Sequence, residues 1–469
     1  MKHKIFLLIH IIYIIGASTS AQPVIKHQTT IGGDLDDYLT SMDLTKDGGL
    51  IAGGYSLSNR SKDKTQNSRG KYDYWIVKLD SMQNIQWDKT IGGKANDYLM
   101  SLQQTSDGGY IAGGHSFSNI SGQKTDSNRG NADFWVVKLN RRGVIQWDKT
   151  IGGSGIDRLH AVQQTKDGGY ILGGTSDSNI SGEKTENTHG YYDFWVVKLD
   201  KAGNIAWNKT IGGDSSDYLK FLKQTKDGGY LLAGTSSSNK SGNKSENSRG
   251  LIDYWIVKLN SAGNIEWDKT IGGADNEYCR SVLETQDGGY IVAGNSFSNR
   301  SGEKTENSRG NSDYWIVKMD KFRTIQWDKT IGGSNEDALL EGLFSFAITS
   351  DSGYILGGYS YSDISGEKTE NSRGGADYWI VKLNKRGHVQ WDKTIGGNSD
   401  DELSSIQEFE KNRYRLAGYS NSSISGDKKQ NSKGGYDYWL VYMNHKKENT
   451  AIIYTYIPAY KIKDTQHKR

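Results

Sequence analysis

Across 469 residues this chain carries only two prolines and one cysteine. Pro23 and Pro458 both lie outside the repeats described below, so the repeated part keeps a full set of backbone N–H groups, as strand pairing requires. One cysteine excludes an internal disulfide. Cys279 stands where other repeats have Leu39, Leu99 and Leu219, which marks it as a buried, inert thiol rather than a reactive one. Stability must therefore come from packing and sheet pairing. Helical periodicity is lacking throughout. No apolar run reaches the roughly 20 residues that a membrane span needs. Neither sign of charge is in excess. The formal net charge is +3, and the loss of Lys2 and Lys4 with a leader would reduce it to +1. A nucleic-acid partner would need a basic face, so none is expected.

The leader is legible at the start. Lys2 and Lys4 precede an apolar run, Ile5 to Gly16, and the small residues "ASTSA" follow. This predicts a secretory signal peptide over 1–21, cut after Ala21, and a secreted or cell-surface location, or a periplasmic one without further export. A mildly basic tail over 446–469 forms the other end.

What the chain has in abundance is repetition. "IGG" begins at 31, 91, 151, 211, 271, 331 and 395, a step of 60 five times and then 64. The four extra residues fall in Ala338 to Ser350. Each unit reads as four short runs, shown by "DYLMSLQQT", "YIAGGHS", "DFWVVKLN" and "VIQWDKTI" in residues 97–151. The runs are aromatic and β-branched and end in Gly, Asn, Asp and Ser. "DG" between the first two signals a hairpin with a two-residue turn. The fold class is therefore all-β. It is a seven-bladed β-propeller over 22–445 with four antiparallel strands per blade.

A solenoid is the alternative, and the ends decide between them. The seventh unit stops at its third run, "DYWLVYMN", and no "IQWDKT" follows. The missing strand is supplied from the front. "VIKHQTT", residues 24–30, aligns with "NIQWDKT" and leads in phase into the first "IGG". A ring needs this arrangement and a solenoid does not. The tryptophans agree. Trp75, Trp135, Trp195, Trp255, Trp315, Trp379 and Trp439 occupy the third strand. Trp87, Trp147, Trp207, Trp267, Trp327 and Trp391 occupy the fourth, and together these are all 13. His27 takes the fourteenth place. These rings are expected to pack between blades, with glycine pairs such as Gly113 and Gly114 making room for them.

The phrases "TIGGxxxD", "QTxDGGYIxxG" and "DYWIVKLD" resemble the β-propeller repeats of secreted bacterial proteins, common in Bacteroidota and often linked to type IX secretion. The resemblance implies the propeller fold and export. Only 25 residues follow Asn444, so a sorting domain of that pathway is not expected. The "Gly-Gly…Trp" spacing also looks like kelch repeats of shorter period. Thr105 to Tyr110 partly matches the Asp-box turn of sialidases.

The long polar loops between strands two and three share a face with the loops between strands four and one, and ligands of propellers usually sit there. A basic or titratable residue ends the long loop in every unit: Arg69, Arg129, His189, Arg249, Arg309, Arg373 and Lys433. An acid ends the other loop: Asp37, Asp97, Asp157, Asp217, Glu277, Asp337 and Asp401. Asp73, Asp133, Asp193, Asp253, Asp313, Asp377 and Asp437 open the third strand. Such residues can brace loops through backbone bonds and ion pairs. They can also form a ring of equivalent weak sites for a repetitive ligand. No DxDxDG, HExxH, GxSxG or phosphate loop occurs, so no metal, cofactor or catalytic residue is expected. The expected function is that of an exported, monomeric, non-enzymatic module binding a protein or glycan on the long-loop face. The alternatives are an enzyme acting on a polysaccharide and a purely structural surface module.

Overall fold

The structure, a computed structural model, describes residues 22–340 and 345–445. The expected signal peptide, the tail over 446–469, and residues 341–344 of the sixth-unit insertion lie outside these. Among the described residues the chain forms seven antiparallel sheets and no helix long and apolar enough to cross a membrane. It is a seven-bladed β-propeller.

Blade one shows the plan. Its strands are Asp37–Leu44, Leu50–Ser56, Asp73–Leu79 and Ile85–Ile91, paired in sequence order. Burial follows position. The third strand of blade two, Asp133–Leu139, is buried at every residue, as a strand covered on both faces must be. The inner strand Asp97–Gln104 alternates instead, and this sends alternate side chains toward the ring axis. The core lies between blades. Ile111, Phe134 and Val136 of blade two pack with Leu159, Val162 and Trp195 of blade three.

Ring closure follows the sequence reading. Val24–Ile31 pairs antiparallel with Asp437–Asn444, with Thr30 opposite Trp439, and completes the seventh sheet. The insertion splits the inner strand of blade six into Asp337–Ala338 and Phe346–Ile348, both paired with Tyr354–Ser360.

Two local expectations change. The turn between the first two strands is longer than two residues. Thr105 N–H donates to the Gly109 carbonyl at 2.9 Å, and only Gly108 takes a positive φ, +80°. Asp107 accepts from the Thr105 hydroxyl at 2.5 Å and from Gly109 N–H at 2.9 Å, so the aspartate braces the turn without adopting the left-handed conformation. The glycine pairs do not make room for tryptophan. A Cβ on Gly113 would come within 2.9 Å of Val162 of the next blade, and one on Gly114 within 1.9 Å of the Tyr98 carbonyl. The glycines admit the neighbouring inner strand and the bulge of their own.

The inner tryptophans do pack between blades. Trp135 is fully buried 4.9 Å from the Tyr74 ring of the preceding blade, and Tyr74 donates to the Trp135 carbonyl at 2.9 Å. Its indole donates to Asp148 at 3.0 Å. The outer tryptophans, such as Trp87 against Tyr110, close the same interfaces nearer the rim. At the seam between blades seven and one this rim pair is absent, because His27 and Leu50 hold its two positions. A recess of 690 Å³ opens there beside Phe409 and Arg415. Arg415 reaches across the seam and donates to the Gly48 and Gly49 carbonyls, 2.9 Å each. Cys279 is fully buried, and burial pushes its thiol up to about 12.

Candidate functional site

The residues that recur in every blade are drawn into the scaffold. Asp37, Asp97, Asp157, Asp217, Glu277, Asp337 and Asp401 are fully buried. Asp97 shows why: its carboxylate accepts from Gly93 N–H at 2.6 Å and from Ser118 Oγ at 3.0 Å, closing the loop that precedes it. The aspartates that open the third strands are equally buried, and Asp133 accepts from Arg129 N–H at 2.6 Å. The "IGG" glycines admit these carboxylates and the long-loop serines. A Cβ on Gly92 would fall 1.9 Å from Asp73 Oδ1, and one on Gly93 2.5 Å from Ser118 Cβ.

The basic ring links neighbouring blades. Arg129 donates to Glu183 of the next long loop at 2.6 Å, and Arg309 to Glu367 at 2.6 Å. Arg249 pairs with Glu303 at 2.9 Å and Arg373 with Asp427 at 3.2 Å. Lys433 pairs with Asp63 across the seam. Where the following loop carries an amide, the bond changes character. Arg69 donates to Gln123 at 3.2 Å. His189, whose following loop has Asn243, turns back to Asp193 at 3.3 Å. Arg69, His189 and Arg309 are exposed and the others of the ring partly so, the side chains standing 24 % open at Arg249 and 36 % at His189. Ligand access is therefore open to the basic ring in part, while the acid ring lies beneath the loops.

A third ring escaped the sequence reading. Lys64, Lys124, Lys184, Lys244, Lys304, Lys368 and Lys428 of the long loops are buried. Lys64 donates to Thr90 Oγ1 at 2.8 Å and lies 5.3 Å from the Trp75 ring centre. It is the counter-charge for Asp37, Asp73 and Asp88. Burial pulls its ammonium down to about 8 and pushes the carboxyls of Asp37 and Asp73 up to about 6. The signal is the lysine that closes a four-residue phrase in every long loop, as in "SGEK" of residues 181–184.

The blades differ where the inner strands face the axis on the long-loop side. The second residue of each inner strand reads Tyr38, Tyr98, Arg158, Tyr218, Tyr278, Ala338 and Glu402. In the six blades whose inner strand is continuous the fourth reads Thr40, Met100, His160, Lys220, Arg280 and Ser404. Around these the mouth divides in two.

One side is aromatic and acidic. The Tyr38 ring lies tilted against Tyr55 and Tyr436 at 5.3 and 5.1 Å and edge-on to Tyr419 at 5.1 Å, and Tyr55 meets Tyr98 edge-on at 5.0 Å. Tyr72 joins them 5.3 Å from Tyr55. Tyr419 donates to Glu402 at 2.7 Å, Tyr436 to Asp400 at 3.2 Å and Tyr359 to Glu336 at 2.7 Å. Burial raises the Glu402 carboxyl, and Asp400 and Glu336 raise it further. The other side carries Arg158, His160, Lys220 and Arg280, with the Tyr192–Tyr218 ring pair at 5.3 Å among them. A recess of 440 Å³ joins the two sides between Tyr98, His115, Phe117, Arg158 and Tyr218. Sequence reading missed this set because each member looks like the ordinary polar half of a strand alternation.

Known proteins resemble the chain at a distance. No family model matches it. The regulatory protein FlaEY of Caulobacter vibrioides is 22 % identical over 279 residues, which are 55 % of this chain and 29 % of that protein. The chain thus spans less than a third of that relative's length. Among solved structures, the Neurospora crassa Pan2 WD40 domain has a TM-score of 0.46 at 10 % identity, covering 88 % of this chain and 95 % of that one. Sqt1 from Chaetomium thermophilum has a TM-score of 0.45 at 12 % identity, covering 90 % and 100 %. A puromycin hydrolase has 0.46 at 10 %, covering 86 % and 54 %.

Proposed function

We propose that this propeller is an exported, non-enzymatic binding module whose ligand, a protein segment or a glycan, enters the long-loop mouth of the central channel. One observation carries the reading. The residues that recur in all blades are spent on bracing, whereas the residues that differ gather at the mouth around Tyr38, Glu402 and Arg158. A specific ligand needs an asymmetric set of contacts, and this face offers one. The leader-like sequence before residue 22 supports export.

The test is binding of the mature chain to paired arrays of synthetic peptides and oligosaccharides. Any ligand found should be lost in Tyr436→Ala and Arg158→Ala and kept in Arg309→Ala, with melting temperatures of the mouth variants unchanged. Binding that survives both mouth substitutions and falls with Arg309→Ala would return the site to the basic ring. Turnover of a polysaccharide, abolished by one Asp or Glu change, would overturn the non-enzyme reading.

A further inference from the structure

The mouth is polarised as well as irregular. Its aromatic side runs without a break through Tyr436, Tyr419, Tyr38, Tyr55, Tyr72 and Tyr98, each ring within 5.5 Å of the next. All six rings are partly exposed. Glu336, Asp400 and Glu402 border the arc, and the charges that act on Glu402 are both negative. Tyr361, in the same border, feels Asp400, Glu402 and Glu336 as well. Tyrosine faces carry negative quadrupole potential, and the carboxylates add to it. Beyond the Tyr98 end of the arc, around the rim, Arg158 is exposed and His160, Lys220 and Arg280 are partly so.

We infer that the ligand is a peptide segment that places an arginine on the tyrosine arc and an acidic side chain against Arg158 and its neighbours. This rests on the mouth being the binding site. The guanidinium is the cation that best suits the arc. It is planar and weakly hydrated, stacks on a phenol ring, and pairs with a carboxylate through two parallel N–H bonds. Glu402 and Asp400 keep the tyrosine hydroxyls as donors, so both carboxylates are held in place before a ligand arrives. The basic side gives direction. A uniformly basic peptide would meet like charge there, so the cation and the anion of the ligand must be separated along its length. A neutral sugar would use the rings but gain nothing from the division of charge.

The probe is a capped synthetic peptide of arginine, three glycines and aspartate, measured against the full mature chain by calorimetry in low salt. The inference expects saturable binding that weakens with added salt. Replacing the arginine by citrulline should weaken it roughly tenfold or more, as should Glu402→Gln or Tyr436→Ala in the protein. Replacing the aspartate of the probe by a second arginine, which leaves two cations and no acid, should also weaken it. Arg309→Gln in the bracing ring should leave it unchanged. No binding of the peptide at millimolar concentration overturns the inference. If a neutral oligosaccharide binds instead and Tyr436→Ala removes it, the inference falls and the mouth remains the site. If a ligand binds and neither Glu402→Gln nor Tyr436→Ala affects it, both fall.

Discussion

The indole of Trp439 donates to Oε1 of Gln28 at 3.2 Å, a bond between residues 411 apart in the chain. In the other blades the same indole finds an aspartate or asparagine on its own outer strand, as Trp135 finds Asp148. The seventh blade therefore repeats the internal logic of the others with parts taken from both ends of the chain.

Deleting residues 22–30 should uncover the edge of Asp437–Asn444 and leave the Trp439 indole without its partner. The expected outcome is a lower melting temperature and concentration-dependent aggregation, read by scanning calorimetry and light scattering. A deletion variant as stable and monomeric as the parent would refute the closure.

The seam itself invites repair. His27→Trp combined with Leu50→Tyr restores the rim pair found at the other interfaces, and the 690 Å³ recess gives it room. The double variant should gain about 1 kcal/mol, beyond the sum of the single changes. A double-mutant cycle by urea denaturation checks it. Additive or destabilising singles and double would show that Arg415 already satisfies the seam.

The basic ring should be worth little blade by blade. For Arg129 and Glu183, partly exposed and 2.6 Å apart, a cycle of alanine substitutions should give a coupling of about 1 kcal/mol or less. Lys124 differs because it is buried. Lys124→Met should destabilise by roughly 3 kcal/mol, since it leaves Asp97, Asp133 and Asp148 without their counter-charge. Equal effects at the two sites would contradict the distinction.

Stability should depend on pH in two opposed ways. Burial raises Asp37, Asp73, Asp133, Asp217 and Asp313 from 3.8 to about 6 in the folded chain. Between those values the folded chain binds more protons than the unfolded one, so stability falls as the pH rises through the window. The turn aspartates behave in the reverse sense. Burial alone would raise Asp47, but bonds from the Thr45 hydroxyl, the Lys78 ammonium and Gly49 N–H bring it down to about 2 from 3.8. Asp107 follows for the same reasons. Their contribution is lost as the pH falls from about 3.8 toward 2. The melting temperature should therefore rise from pH 7.5 to pH 5 and drop steeply below pH 4. A steady fall from pH 7.5 downward would contradict it.

The fold was legible because its causes are periodic. Glycine pairs, tryptophans and turn aspartates recur with a 60-residue step, and for the strand missing after Asn444 residues 24–30 match the repeat in register, as the strand-like tail 451–458 does not. The site was harder for the same reason. Repetition drew attention to Arg129 and Asp97, yet a contact needed in every blade is what a ring of equal blades repeats for its own stability. Buried Lys124 belonged to that set and was overlooked because a lysine in a polar loop reads as solvated. Tyr38, Arg158 and Glu402 occupy one equivalent position in three blades, and only the closed ring brings such unlike residues to a common rim.

The mixed seventh blade also sets an order of events during synthesis. Among the described strands, Val24–Ile31 is made first and Asp437–Asn444 last. At roughly 5–20 residues per second, the early strand waits tens of seconds for its partner. Throughout that time the segment has no strand to pair with, and the growing row of blades has an open edge at its other end. If the chain is exported as proposed, this favours holding the whole polypeptide unfolded until it has crossed the membrane, so that the ring closes once and in a single compartment.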